Sequence, residues 1–264
     1  MNRTARKHAT DVVRLDGLRI TRPDDGRVLV RDTTLRVGPG DSVGIVGESG
    51  SGKSLTLRAL ARIAPTALRV DGTISCTARV ALIFQEPATA LNPTTRVGDL
   101  VSLVWRRHHR GCRARDADAH ALDLFERVGI ASAKQRLRAW PHELSGGMRQ
   151  RVMIAAALAT EPEVLLCDEP TTALDVRIQA QILDLLTELV SSRDMAMLFV
   201  SHDLAVVSRV CERLIVMRDG EVVESGATAD VIATPRDGYT AELLAANLAR
   251  RLVTVGQDRN GAPA

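Results

Sequence analysis

Aromatic residues are nearly absent: Phe84, Trp105, Phe125, Trp140, Phe199 and Tyr239 are the only ones in 264 residues. A surface that stacks bases needs more of them. A net charge of +3 also leaves no broad basic footprint, so no nucleic-acid partner is expected. Lysine is scarce too, since Lys7, Lys53 and Lys134 are the only lysines among 35 basic residues. No apolar run approaches the ~20 residues of a membrane-spanning helix. The longest runs from Val152 to Ala159. The polar start, MNRTARKHATD, has no apolar core and does not read as a secretory signal. Cys76, Cys112, Cys167 and Cys211 are widely spaced, with no CxxC. They read as reduced thiols of an intracellular chain. No repeat of fixed period is present. What remains is ordinary globular composition, 45% hydrophobic and 25% charged. It suits one large domain, or a domain with an inserted lobe.

The pattern predicts strands over Val12–Ile20 and Val28–Val37, split by the turn Pro23-Asp24-Asp25-Gly26. After Gly38-Pro39-Gly40-Asp41, Ser42–Val46 reads as a short buried strand. A Gly/Ser-rich loop and a helix from Lys53 to about Ile63 follow, then a strand over Val80–Phe84. From about 88 to 160 the chain is rich in Arg and Ala. Helical spacing at Leu122, Phe125 and Val128, and at Val152, Ala155 and Ala159, predicts an inserted helical lobe. Beyond it, strands at Val164–Cys167 and Met197–Val200 alternate with helices at Val176–Val190 and Leu204–Val210. Leu214–Met217 and Val222–Ser225 form a hairpin around Arg218-Asp219-Gly220. Alternating strands and helices predict an α/β fold with a mostly parallel, covered sheet. The expected domain spans 11–250, between a disordered tail at 1–10 and a frayed tail at 251–264.

Gly47-Glu48-Ser49-Gly50-Ser51-Gly52-Lys53-Ser54 fits G-x-x-x-x-G-K-[ST] between a predicted strand and a predicted helix. Glycines let consecutive N–H groups curl around phosphate oxygens, and the helix start beginning with Lys53, Ser54 and Leu55 adds positive potential. Lys53 supplies a compact charge to the β- and γ-phosphates. Arginine's planar fork does not replace it in so tight a loop, which makes one of only three lysines informative here. Ser54 offers a hydroxyl to Mg²⁺. The strand Val164–Cys167 ends in Asp168 and Glu169, one suited to hold Mg²⁺ and the other to polarise an attacking water. His202 and Gln85 each follow a buried strand, where ligands of open α/β sheets sit. His202 is placed as a γ-phosphate sensor, and Gln85 as an amide reaching Mg²⁺ or water.

Leu144-Ser145-Gly146-Gly147-Met148 resembles the signature motif of ATP-binding cassette ATPases. The phosphate loop, Gln85, Asp168-Glu169, the D-loop Thr172-Ala173-Leu174-Asp175 and His202 follow in that family's order. The resemblance implies a phosphate-loop NTPase with a RecA-like core, an antiparallel β subdomain and an inserted helical subdomain. It implies ATP and Mg²⁺ as ligands and a head-to-tail dimer with an identical or paralogous ATPase subunit. There Ser145, Gly146 and Gly147 would cover the partner's nucleotide. Two transmembrane permeases and, indirectly, an extracytoplasmic binding protein are the implied further partners. The expected place is the cytoplasmic side of the cell membrane. Met148, the stretch Gln85–Pro93 and Gly238-Tyr239-Thr240 resemble the peptide/nickel importer group, with the short nickel-type subunits most similar. The alternative is a soluble cassette acting on ribosomes or DNA; a regulatory module with a dead site is a third reading.

Two departures from the family carry expectations. No aromatic precedes Phe84, where relatives stack adenine, leaving Arg22 as a guanidinium platform and Ile20 as an apolar contact. GTP should therefore be tolerated more than usual. No Cys-rich C-terminal extension is present, so no iron–sulfur cluster is expected. The basic run Arg106–Arg115 reads as a solvated interhelical loop, with an anionic lipid contact or a His108/His109/Cys112/His120 metal site as alternatives. Trp105 and Trp140 read as packing residues, and Cys167 as a buried strand cysteine.

Overall fold

The computed structural model describes residues 11–247, without Ala173 and without the side chain of Ala88. The expected tails at 1–10 and 251–264 lie outside the described residues. The chain divides into two compact units, one built mainly from Cys76–Leu198 and the other from Arg14–Arg36, Ser42–Ser75 and the segment from Phe199 on.

In the first unit, β5 (Val80–Ile83) pairs parallel with β6 (Val164–Asp168), and β7 (Ala196–Ser201) begins beside β6. Every residue of β6 and β7 is buried. That explains their unbroken apolar runs: strands covered on both faces need no polar alternation. Between β5 and β6 come the short α2 (Pro87–Ala90), α3 (Val97–His108), α4 (Ala114–Arg127), the short α5 (Ala133–Arg136) and α6 (Gly146–Leu158). Val97 and Val101 of α3 and Ala117, Ala121, Leu124 and Phe125 of α4 form the buried faces. Phe125 and Val128 are buried as predicted, while Leu122 is only half-buried and Ala121 and Leu124 fill the core beside them. The Ser102 hydroxyl donates to Asp118 Oδ1 at 2.9 Å and ties α3 to α4. The helix after β6, α7 (Val176–Arg193), is capped by Asp175, whose carboxylate accepts the Ile178 N–H at 2.9 Å.

In the second unit, β1 (Val13–Thr21), β2 (Val28–Val37) and β4 (Arg69–Cys76) form a small sheet in the order β2-β1-β4. Along β1 the buried residues are Val13, Leu15, Leu18 and Ile20. The alternation slips by one at Gly17, whose φ of +61° is in the left-handed region. β4 has no predicted counterpart: its sequence is polar and largely exposed, so no period marks it. β3 (Ser42–Val46) pairs parallel with β8 (Arg213–Arg218), which turns antiparallel into β9 (Glu221–Ala227). α1 (Lys53–Leu60) follows β3, α8 (Leu204–Val210) precedes β8, α9 (Thr228–Ala233) follows β9, and residues 238–247 are helical.

α1 ends three residues before the expected Ile63. Arg62 has φ +58°, Arg62 N–H bonds Ala59 O at 3.0 Å, and Ile63 N–H bonds Arg58 O at 2.9 Å. This is a Schellman closure with arginine where glycine is usual, and Pro65 follows.

Candidate active site

The second unit carries the phosphate loop and His202. Gly47, Gly50 and Gly52 have φ of +152°, +85° and +99°. A Cβ on Gly47 would lie 2.1 Å from Met217 O, and one on Gly52 would lie 3.0 Å from Leu29 O. No side chain fits at Gly47, so the loop packs tightly on β8. Lys53 is 4% exposed. Its Nζ donates to Gly47 O at 2.8 Å and Glu48 O at 2.7 Å, with Ser51 Oγ at 3.4 Å. The cation is therefore held inside the loop, at the point where charged oxygens would be received. Ser54 and Leu55 stand in the first turn of α1, directly after it. Ser49 and Gly50 are at the exposed crest of the loop. Glu48 N–H donates to the Tyr239 hydroxyl at 3.0 Å. His202 is half-buried between Ser201 and Asp203. Asp203 caps α8 by accepting the Ala205 and Val206 N–H groups, and its own N–H donates to Ser201 Oγ at 3.0 Å. The turn bearing His202 is therefore fixed on both sides.

The first unit carries the acidic residues. Asp168 ends β6 and is 2% exposed. Glu169 has φ +47°, an uncommon conformation for a residue with a side chain. Its Oε2 accepts the Thr172 hydroxyl at 2.9 Å and the Gln85 amide at 3.3 Å. The structure thus brings Gln85 and Glu169 together, with Thr172 of the expected D-loop as a third partner. Ser145 caps α6 by accepting the Met148 N–H at 3.3 Å. Ser145 and Gly146 are exposed, so this helix start faces outward. A Cβ on Gly147 would meet Ile178 Cγ2 at 2.7 Å, which explains the second glycine. Ala173 of the expected D-loop lies outside the described residues.

One expectation is corrected: Ile20 is fully buried in the small sheet and offers no contact to a base. Arg22 pairs with Asp25 at 3.1 Å across its own turn and remains partly exposed. The His/Cys group also does not converge: among the described residues no cluster of three metal-binding side chains exists. The rings of His109 and His120 instead stack on Trp105, with centroids 4.4 and 5.1 Å away. Trp140 lies under the guanidinium of Arg96 at 5.6 Å. Cys167 is buried, as expected.

The ABC transporter family model matches residues 30–172. The "Probable D,D-dipeptide transport ATP-binding protein DdpD" of Escherichia coli K12 is 46% identical over 235 residues, covering 81% of this chain and 71% of that protein. The chain belongs to the ABC transporter family. The "Glutathione import ATP-binding protein GsiA" of Pectobacterium atrosepticum is 45% identical over 241 residues, covering 82% of this chain and 38% of that longer protein. The ABC cassette MJ0796, solved as a post-hydrolysis dimer with ADP and phosphate, superposes with a TM-score of 0.73 at 26% identity. That match covers 82% of this chain and 98% of the MJ0796 chain. These relatives favour a transport ATPase over a cassette serving ribosomes or DNA. No helix among the described residues is long and apolar enough to cross a membrane.

Proposed function

We propose that this ABC ATPase hydrolyses ATP to drive import of short peptides. It would sit on the cytoplasmic side of the membrane against two permeases, paired head-to-tail with an identical or paralogous ATPase subunit. An extracytoplasmic binding protein would deliver the cargo. The observation that carries the ATP reading is the glycine loop closed around the buried Lys53 amine. The peptide class is supported by relatives named for D,D-dipeptides and for glutathione, rather than for nickel. The domain would run over 11–250, with the helical subdomain at about 88–160.

In this reading backbone amides at the loop's glycines and the start of α1, with the Lys53 ammonium, bind the β- and γ-phosphates. Glu169 takes a proton from the attacking water, and His202 contacts the γ-phosphate. Ser54, Gln85 and Asp168 are the oxygen donors that would hold Mg²⁺, which supplies charge neutralisation to the phosphate oxygens. Ser145, Gly146 and Gly147 present a capped helix start to the nucleotide of the partner subunit. Phosphate release from ATP, stimulated by permeases and peptide-loaded binding protein, tests the reading. Stimulation by ribosomes or DNA instead would contradict it.

Two narrower outcomes follow. Thr172→Val removes the hydroxyl that donates to Glu169 but keeps the shape. A hydrogen bond to a charged carboxylate contributes about 1.5–3 kcal/mol, so kcat should fall roughly ten- to a hundredfold. KM for ATP should stay near the parental value, as steady-state phosphate release would report. The second concerns the base. With no aromatic before Phe84 and Ile20 buried, ATP should be preferred over GTP by well under a few hundredfold. Competition binding with the two nucleotides measures this ratio, and a larger preference would refute it.

A further inference from the structure

Glu48 and Tyr239 are 191 residues apart in sequence, yet the Tyr239 hydroxyl accepts the Glu48 N–H at 3.0 Å. On the other side of the same residue, Glu48 O accepts the Lys53 Nζ proton at 2.7 Å. The Glu48 backbone is thus gripped twice, once by a phenol and once by the loop's own ammonium.

The phenol is itself held in place. Tyr239 is 5% exposed, and the Arg218 guanidinium lies over its ring at 4.8 Å. Its own N–H donates to Asp237 Oδ1 at 2.9 Å. Just before it, the Glu224 carboxylate accepts the N–H groups of Arg236 at 3.0 Å and Asp237 at 3.2 Å. Burial alone would raise the Glu224 carboxyl, but these amide donors hold it below the usual carboxylate range. The carboxylate therefore stays charged at neutral pH and keeps the start of helix 238–247 anchored. Burial also pushes the Tyr239 phenol up, so it remains a neutral hydroxyl.

The two grips on Glu48 would not survive ligand binding equally. The three Lys53 protons are engaged within the loop, with Gly47 O, Glu48 O and, at longer range, Ser51 Oγ among their acceptors. An arriving phosphate competes for them, and a charge-assisted bond to phosphate is stronger than one to a neutral carbonyl. As Lys53 turns to the phosphate, its hold on Glu48 weakens. The phenol is then the side chain that keeps the Glu48 peptide oriented. We propose that Tyr239 is a positioning residue for the phosphate loop, fixing the Glu48 peptide while the nucleotide is bound. The inference rests on the ATP reading of that loop.

A packing role alone would be kept by Tyr239→Phe, because the ring still fills its site beneath Arg218. A positioning role would not. In the 264-residue chain, Tyr239→Phe should raise the Kd for ADP and the KM for ATP about two- to tenfold, the value of one hydrogen bond. The kcat should stay within about twofold, and the melting temperature without nucleotide should be near parental. The rise in melting temperature on adding saturating ADP should shrink. Unchanged Kd and KM would overturn the proposal. So would a lowered melting temperature without nucleotide accompanied by no change in Kd. A wild-type chain that binds no ADP would overturn the ATP reading of the loop, and this proposal with it.

Discussion

Glu169→Gln should lower ATP turnover by about 10²–10⁴-fold, the range that a positioned general base contributes. The substitution isolates basicity from geometry. A glutamine carbonyl can still accept the Thr172 hydroxyl and the Gln85 amide, which reach Glu169 at 2.9 and 3.3 Å. It also imposes no new backbone demand at φ +47°. What it cannot do is take a proton from water. Nucleotide affinity should therefore remain near parental while phosphate release almost stops. Since ATP would bind without being consumed, ATP-dependent pairing of ATPase subunits should persist in the variant. Steady-state phosphate release and size-exclusion chromatography with ATP report the two effects. Parental turnover in the variant would remove Glu169 from the role of base.

Lys53→Met should weaken ATP and ADP binding about 100-fold or more, through loss of charge-assisted bonds of about 1.5–3 kcal/mol each to the phosphates. Methionine keeps the approximate volume in a site that is 4% exposed. Replacing a whole buried charged pair by apolar groups can be neutral, but removing one partner is destabilising. Here the Gly47 and Glu48 carbonyls lose their donor. The melting temperature without nucleotide should accordingly fall while affinity collapses by far more. Calorimetric titration with ADP alongside thermal denaturation separates the two. Near-parental affinity would contradict the assignment of Lys53 to the phosphates.

The sequence carried most of the chemistry because the site demands residue types that nothing else in a fold requires together. The loop needs glycine where a Cβ would strike Met217 O, and it needs a compact cation inside. Asp168 and Glu169 stand out because they end an otherwise apolar strand. The buried strands β3, β6 and β7 were legible for a similar reason: residues covered on both faces leave an unbroken apolar run. Elements that depend on distant partners were not legible. β4 is polar and largely exposed, and it is a strand because it pairs with β1. The end of α1 has no stop glycine, since Arg62 takes the left-handed position. Ile20 looked available to a base because a strand's exposed and buried faces cannot be assigned before its neighbours are known. Thr172 and Tyr239 act through hydrogen bonds to Glu169 and Glu48. Glu48 lies 191 residues from Tyr239, and no local pattern records such a pairing.

Reconstitution of the chain with its two permeases in lipid vesicles tests the proposed import function most directly. Phosphate release from ATP would be followed with and without a peptide-loaded binding protein. Peptide-loaded binding protein should raise the rate, and Glu169→Gln should abolish both the basal and the stimulated hydrolysis. A rate indifferent to peptide and binding protein, or one raised only by ribosomes or DNA, would contradict it.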